Sequence, residues 1–226
     1  MIKFHPPLDV LEQYVRGDLN AALGVVVATH VDMCRHCQQQ VAALEEELSE
    51  ALFNEELPVA DAQLGAMLAN IMEQPAAPAE HMGGQPLTGS RHSVLQLDGQ
   101  EFRLPRPLAR MKNKIGPWSR VPGNLMRAPL DLGTDEKVNL IYMQRGSSLP
   151  EHTHKGQEAT LVVNGTFRDE FASYHDGDFM LLDSEQHHSP QTAEEDCLTL
   201  AFLDAPLHFT SGVSRLLNPF SSLFFR

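Results

Sequence analysis

The chain predicts two parts of opposite class: an all-α part at the N-terminus and an all-β barrel after it. Three observations carry this. Residues 20–49 are free of proline and rich in Ala, Val, Leu, Gln and Glu, so they read as helix. Residues 75–90, P-A-A-P-A-E-H-M-G-G-Q-P-L-T-G-S, hold too few bulky apolar side chains to build a core and read as a linker. From about residue 92 short apolar runs alternate with turn residues. A length of 226 residues allows one large or two small domains. The expected division is 1–75 for the helical part, 76–91 for the linker and 92–226 for the barrel.

The elements follow in order. Leu8 to Val15 is a short periodic helix closed by Gly17, and Asn20 to Ser49 is one helix or two. Asp61 caps a helix running to Met72, in which Leu64, Met67, Leu68 and Ile71 fall at i, i+3, i+4 and i+7. That stripe is either core, the commoner use, or a face for a partner helix. Strands are expected at Ser93–Leu97, Glu101–Leu104, Val138–Met143, Ala159–Val163, Thr166–Phe171, Asp178–Leu182 and Leu198–Phe202. Asp98-Gly99, Asn164-Gly165 and Asp176-Gly177 are hairpin-type turns. Many short strands at this spacing mean a sandwich or a barrel.

Composition is that of a soluble protein, with 42% apolar and 21% charged residues. No apolar run approaches the length of a membrane span, and no basic-then-apolar leader opens the chain. A cytoplasmic protein is expected. Of the three cysteines, two form C-x-x-C and Cys197 stands alone, which suits a reducing compartment and a metal site better than a disulfide framework. The net charge of −13 is uneven: residues 1–75 hold twelve acids and three bases. Such an acidic half repels nucleic acid and favours a basic partner.

On a helix His30, Cys34 and Cys37 stand at i, i+4 and i+7, the cysteines within about 40° of the histidine on one face, one turn apart. Imidazole and thiolate suit Zn²⁺, whose structural sites are closed by four protein ligands. His5, ahead of the first helix, is the best fourth ligand; His36 points away from the face of the cysteines. A redox use of C-x-x-C would need a βαβ surround that is not present here. The bland alternative is two buried cysteines and a surface histidine.

A second cluster starts at Gly146: G, five residues, His152-x-His154, three residues, Glu158, six residues, Gly165. Alternate residues of a strand face one side, so His152 and His154 point together. Further on, Gly177-Asp-Phe-Met-Leu-Leu-Asp-Ser-Glu-Gln-His-His-Ser-Pro offers a fourth ligand, His188, with His187 as the fallback. Neighbouring strand positions face opposite ways, so only one of the two can serve. Three histidines and a carboxylate suit Zn, Fe, Mn or Ni. Cys197 reads as a buried strand residue, with redox sensing as the lesser use. Trp118 reads as packing over the barrel, and His81 and His92 as solvated.

The Gly146–Gly165 pattern resembles the first motif of the cupins, whose fold is a double-stranded β-helix barrel. The second stretch departs from that family's pattern, with Asp183 for Pro, Glu185 for Gly and Thr192 for Asn. His5 followed by H-x3-C-x2-C resembles the zinc-binding anti-sigma domain. The order of the two is similar to that of the ChrR-like anti-sigma factors. The resemblance implies Zn²⁺ on His5, His30, Cys34 and Cys37, and a second divalent metal, Zn²⁺ first, on His152, His154, Glu158 and His188. It implies a 1:1 complex with an extracytoplasmic-function sigma factor, with no direct contact to nucleic acid or membrane. It also implies a cupin domain that senses singlet oxygen or a related oxidant, and no enzymatic activity. Two rivals remain: a metal-dependent cupin dioxygenase or isomerase with a zinc-binding appendage, and a zinc module that binds nucleic acid through the basic stretch Arg103 to Arg127.

Overall fold

The computed structural model describes residues 1–54, 62–74, 93–121, 123–134, 136–154, 156–210 and 218. Helices come first: α1 Leu8–Arg16, α2 Ala21–Met33, α3 Arg35–Asn54 and α4 Ala62–Glu73. Gly17 (φ 76°) adopts the left-handed conformation that ends α1, so that the Gly17 and Asp18 amides satisfy the last carbonyls. The Asn20 side chain caps α2 by accepting from the Leu23 amide at 2.8 Å. The run from Asn20 to Ser49 is therefore two helices. They meet at Cys34, whose backbone is extended (φ −112°, ψ 108°). Gln38 holds this corner by donating from Nε2 to the Val31 and Asp32 carbonyls at 2.8 and 3.1 Å.

The strands are β1 Val94–Leu97, β2 Gln100–Arg103, β3 Ser119–Val121, β4 Leu125–Leu130, β5 Lys137–Met143, β6 His152–His154, β7 Glu158–Gly165, β8 Phe167–Arg168, β9 Ser173–Tyr174, β10 Phe179–Leu182, β11 Cys197–Leu203 and β12 Leu207–Phe209. A short helix α5, Arg106–Arg110, follows β2. One antiparallel sheet of six strands runs β10-β7-β11-β5-β4-β3. Opposite it lie the pairs β12-β6 and β8-β9, joined by bridges His152↔His188, Ser148↔Gln191 and Arg168↔Gln191. The expected strand Thr166–Phe171 shortens to β8, because the Asp169 carboxylate accepts from the Phe171 and Ala172 amides and turns the chain. Strands β3 and β4 were not foreseen: Pro122-Gly123 and Pro129 disguise them, and Pro129 sits in the ladder opposite Asn139.

The two faces of the large sheet have different neighbours. Its inner face carries Leu125, Met143, Val162, Met180 and Leu182, which pack with Phe167 and Tyr174 of the small layer. Its outer face carries Leu140, Leu161, Leu200 and Phe202, which share one core with Leu11, Leu23, Val26 and Val27 of the helices. Helix α2 is the wedge: it touches α1, α3, α5, β7 and β11. At about 0.8 kcal/mol per buried CH₂, this shared burial is the main force that docks helices onto sheet. An ion pair between Arg106 and Asp32 adds a rim contact.

Candidate metal centres

The first centre forms where three pieces of chain converge. His30 comes from the last turn of α2, Cys34 from the corner, Cys37 from the first turn of α3, and His5 from the N-terminal segment. One ligand atom from each lies within 4.8 Å of all the others. His30 Nε2 is 3.2 Å from Cys37 Sγ, and His5 Nδ1 is 3.4 Å from His30 Nε2, 3.4 Å from Cys34 Sγ and 3.5 Å from Cys37 Sγ. A tetrahedral zinc with bonds of about 2.0–2.3 Å has ligand–ligand edges of about 3.3–3.8 Å. The donor set fits Zn²⁺ in chemistry and in spacing. The corner at Cys34 replaces the expected single helix face: a continuous helix presents three donors in a row, whereas the break folds Cys37 back toward His30.

The tautomer of His30 is set by its surroundings. Its Nδ1 lies 2.8 Å from the Gly177 carbonyl, which can only accept, so Nδ1 carries the proton and Nε2 offers a lone pair to the cluster. Burial pushes the His30 pKa down to about 4, against the Gly177 hydrogen bond, which raises it. Burial, then the neighbouring Cys34, pushes the Cys37 thiol up to about 12. Two thiolates here would demand a compensating cation, which a divalent metal would supply. His36, exposed, stands apart from the four donors, its ring centroid 4.9 Å from that of His5.

The second centre lies at one end of the inner face. His152, Glu158 and His188, all buried, have ligand atoms within 4.8 Å of one another. His152 Nδ1 donates to the Pro150 carbonyl at 2.8 Å, which leaves Nε2 for the cluster. His188 Nε2 is 3.8 Å from Glu158 Oε2, and its Nδ1 is 3.5 Å from Asp169 Oδ2. The Thr160 hydroxyl donates to the other Glu158 oxygen at 2.7 Å. Burial opposes ionisation of Asp169, but His188 and the amides of Ala172 and Phe171 hold its pKa below the usual carboxylate value. A carboxylate behind a histidine is the arrangement that orients imidazole on a metal. His187 is exposed, and His188 is the one that faces the cluster. His154 belongs to β6, but its side chain lies outside the described residues.

A cavity of about 50 Å³ adjoins this cluster, walled by Ile141, Met143, Phe167, Met180 and Leu203 among others. That is room for roughly four waters. Cys197 is fully buried in β11, and burial with nearby acids keeps its thiol protonated. Trp118 packs, half-buried, against the shared core. His81 and His92 lie outside the described residues. The parts that Asp169, Gly177 and Asp178 play at the two clusters escaped the sequence reading, since acids and glycines at turns look like solubility and turn chemistry.

The sheet carries a His/Glu/His cluster and the helical part, with the segment ahead of it, a His₂Cys₂ cluster, two donor sets of the kinds that hold divalent metals. Residues 109–206 match the ChrR cupin-like domain family. The chain is 33% identical to the anti-sigma-E factor ChrR of Cereibacter sphaeroides, over 97% of its own length and 98% of that protein's. The crystal structure of Rhodobacter sphaeroides SigE in complex with the anti-sigma ChrR superposes with a TM-score of 0.70 at 29% identity, covering 90% of this chain and 100% of that one. The chain belongs to the ChrR family of anti-sigma factors.

Proposed function

We propose that this chain holds an extracytoplasmic-function sigma factor inactive in a 1:1 complex, and releases it when an oxidant reaches the barrel. The end-to-end match to an anti-sigma factor carries this reading. The reading divides the chain into a sigma-binding helical domain (1–75), a linker (76–91) and a sensor (92–226). His5, His30, Cys34 and Cys37 would hold a structural Zn²⁺. His152, His154, Glu158 and His188 would hold a second divalent ion, Zn²⁺ first among candidates, which supplies a charge that fixes the three histidines and the carboxylate in one geometry.

Two features support sequestration by the helices. Leu64, Met67, Leu68, Ile71 and Met72 on α4 are 57–78% exposed, an apolar stripe of the kind that seats in a groove. The surplus of acids over residues 1–75 suits a basic partner and disfavours nucleic acid. For sensing, the small cavity admits a species the size of dioxygen, singlet oxygen included, and exposes it to the Met143 and Met180 thioethers and the His152 and His188 rings. These are readily oxidised groups. A cavity this size favours a sensor over an enzyme for larger substrates.

Transcription in vitro by core polymerase with each extracytoplasmic-function sigma factor of the cell tests the reading. The full-length chain should inhibit one of them, and zinc chelation should lift the inhibition. Full transcription by every sigma factor in its presence would refute it.

A further inference from the structure

The helical metal centre is not built by the helices alone. We propose that the Asp176–Asp178 turn of the barrel positions both histidines of that centre, so that metal binding and docking of helices on barrel form one coupled equilibrium. The inference rests on the reading of His5, His30, Cys34 and Cys37 as a metal site.

Four contacts carry it. The Gly177 carbonyl accepts from His30 Nδ1 at 2.8 Å, fully buried, and so fixes the tautomer and ring orientation of one ligand. The Asp178 carboxylate, only 2% exposed, accepts from the Lys3 and Phe4 amides at 2.6 and 3.1 Å, directly ahead of His5. The Phe179 amide donates to the Phe4 carbonyl at 3.1 Å, so residues 3–5 run alongside the start of β10. The Phe4 ring packs on Tyr174 of β9 with centroids 5.0 Å apart. Gly177 (φ +85°) favours this turn, because its left-handed backbone strains any residue with a Cβ, which would also press on the Ile2 side chain. His5 precedes α1, and among the described residues the segment just ahead of it is held by these contacts to the barrel.

The same turn is tied to the barrel's own centre. The Gly177 amide donates to the Val162 carbonyl, and the Val162 amide to the Asp178 carbonyl, at 2.8 and 3.0 Å. Val162 belongs to β7, which starts at Glu158; Phe179–Leu182 leads on toward His188. The turn that holds the helical ligands is therefore bonded to the strand that carries Glu158 and runs directly into the strand that leads toward His188. Linkage requires reciprocity: whatever loosens the turn weakens the helical metal, and loss of that metal loosens the docked helices.

Cobalt substitution of the full-length protein separates the two centres, because only the helical one can give a thiolate-to-cobalt charge-transfer band. Titration of cobalt against a competing chelator then yields the affinity of that centre. Asp178→Ala should weaken it 10- to 100-fold, the usual effect of losing an outer-sphere partner. Asp178→Asn, which keeps one acceptor oxygen, should weaken it less. Equal affinity in Asp178→Ala and wild type, both folded, overturns the inference. A wild-type protein with no charge-transfer band overturns the metal-site reading and this inference together. Should Asp178→Ala fail to fold, hydrogen exchange on the wild-type protein decides. Removal of the helical metal should speed exchange at the Phe179 amide in the barrel, and unchanged exchange there would overturn the coupling.

Discussion

Leu68→Glu on α4 puts the sequestration reading at greatest risk. Leu68 is 61% exposed in the free chain, so a partner that covers α4 removes more than half of its surface from water. Full burial of a leucine is worth about 1.5–3 kcal/mol, so the uncovered share is worth about 1–2 kcal/mol. Truncation to alanine should then weaken sigma binding roughly 5- to 30-fold. A glutamate must in addition be desolvated against apolar surface, at a further few kcal/mol, which brings the expected loss to about 100-fold or more. Fold is spared, because the side chain already faces solvent in the free protein. The assay is fluorescence anisotropy of labelled sigma factor titrated with full-length protein, with helical content and metal content as controls. An affinity within about twofold of wild type would refute the use of this face.

Other perturbations separate the two centres and probe the barrel interior. Cys37→Ala should lower bound zinc by one equivalent, read by a chromophoric chelator in denaturant, and should abolish inhibition of transcription; full zinc content would remove Cys37 from the ligand set. Asp169→Asn, which takes the carboxylate away from His188, should weaken the barrel metal about 10- to 100-fold while inhibition of transcription persists; loss of sigma binding with the helices intact would refute the division of labour. Arg127 lies buried on the inner side of β4, its Nε and Nη1 without a hydrogen-bond partner among the described residues, and burial lowers its pKa. Arg127→Met should therefore keep or raise stability by about 1 kcal/mol, a gain of about 2–4 °C in thermal midpoint; a clear loss would show that the charge has a partner or a role.

The convergence of His5, His30, Cys34 and Cys37, and of His152, Glu158 and His188, was legible because ligand chemistry is local: H-x3-C-x2-C and the spacing from His152 to Glu158 leave few alternatives for those residues. His5 could be picked out only as the histidine ahead of the first helix, and its approach to the cluster depends on a carboxylate 173 positions away, at Asp178. The corner at Cys34 was invisible because no proline or glycine marks it; the Gln38 contacts hold a break in an otherwise unbroken helical propensity. Strands β3 and β4 hid behind prolines that are tolerated near the sheet edge. The α4 stripe was readable as amphipathic, yet a period alone does not tell a core face from an exposed one. The packing of α2 on β7 and β11 had no sequence signature, since both surfaces are simply apolar.

That packing constrains how the chain can be taken apart. Cut between the halves, the barrel would present Leu140, Leu161, Leu200 and Phe202 to water, and the helices would present Val26 and Val27. Each fragment would then carry a sticky patch of its own making, and self-association of isolated pieces would mimic a partner interaction. It also limits exchange between relatives: a barrel grafted from another member must match the contour of α2 as well as keep its own buried cluster. In this architecture the helical half and the barrel form a fitted pair, and a change confined to the barrel's inner face leaves their shared packing untouched.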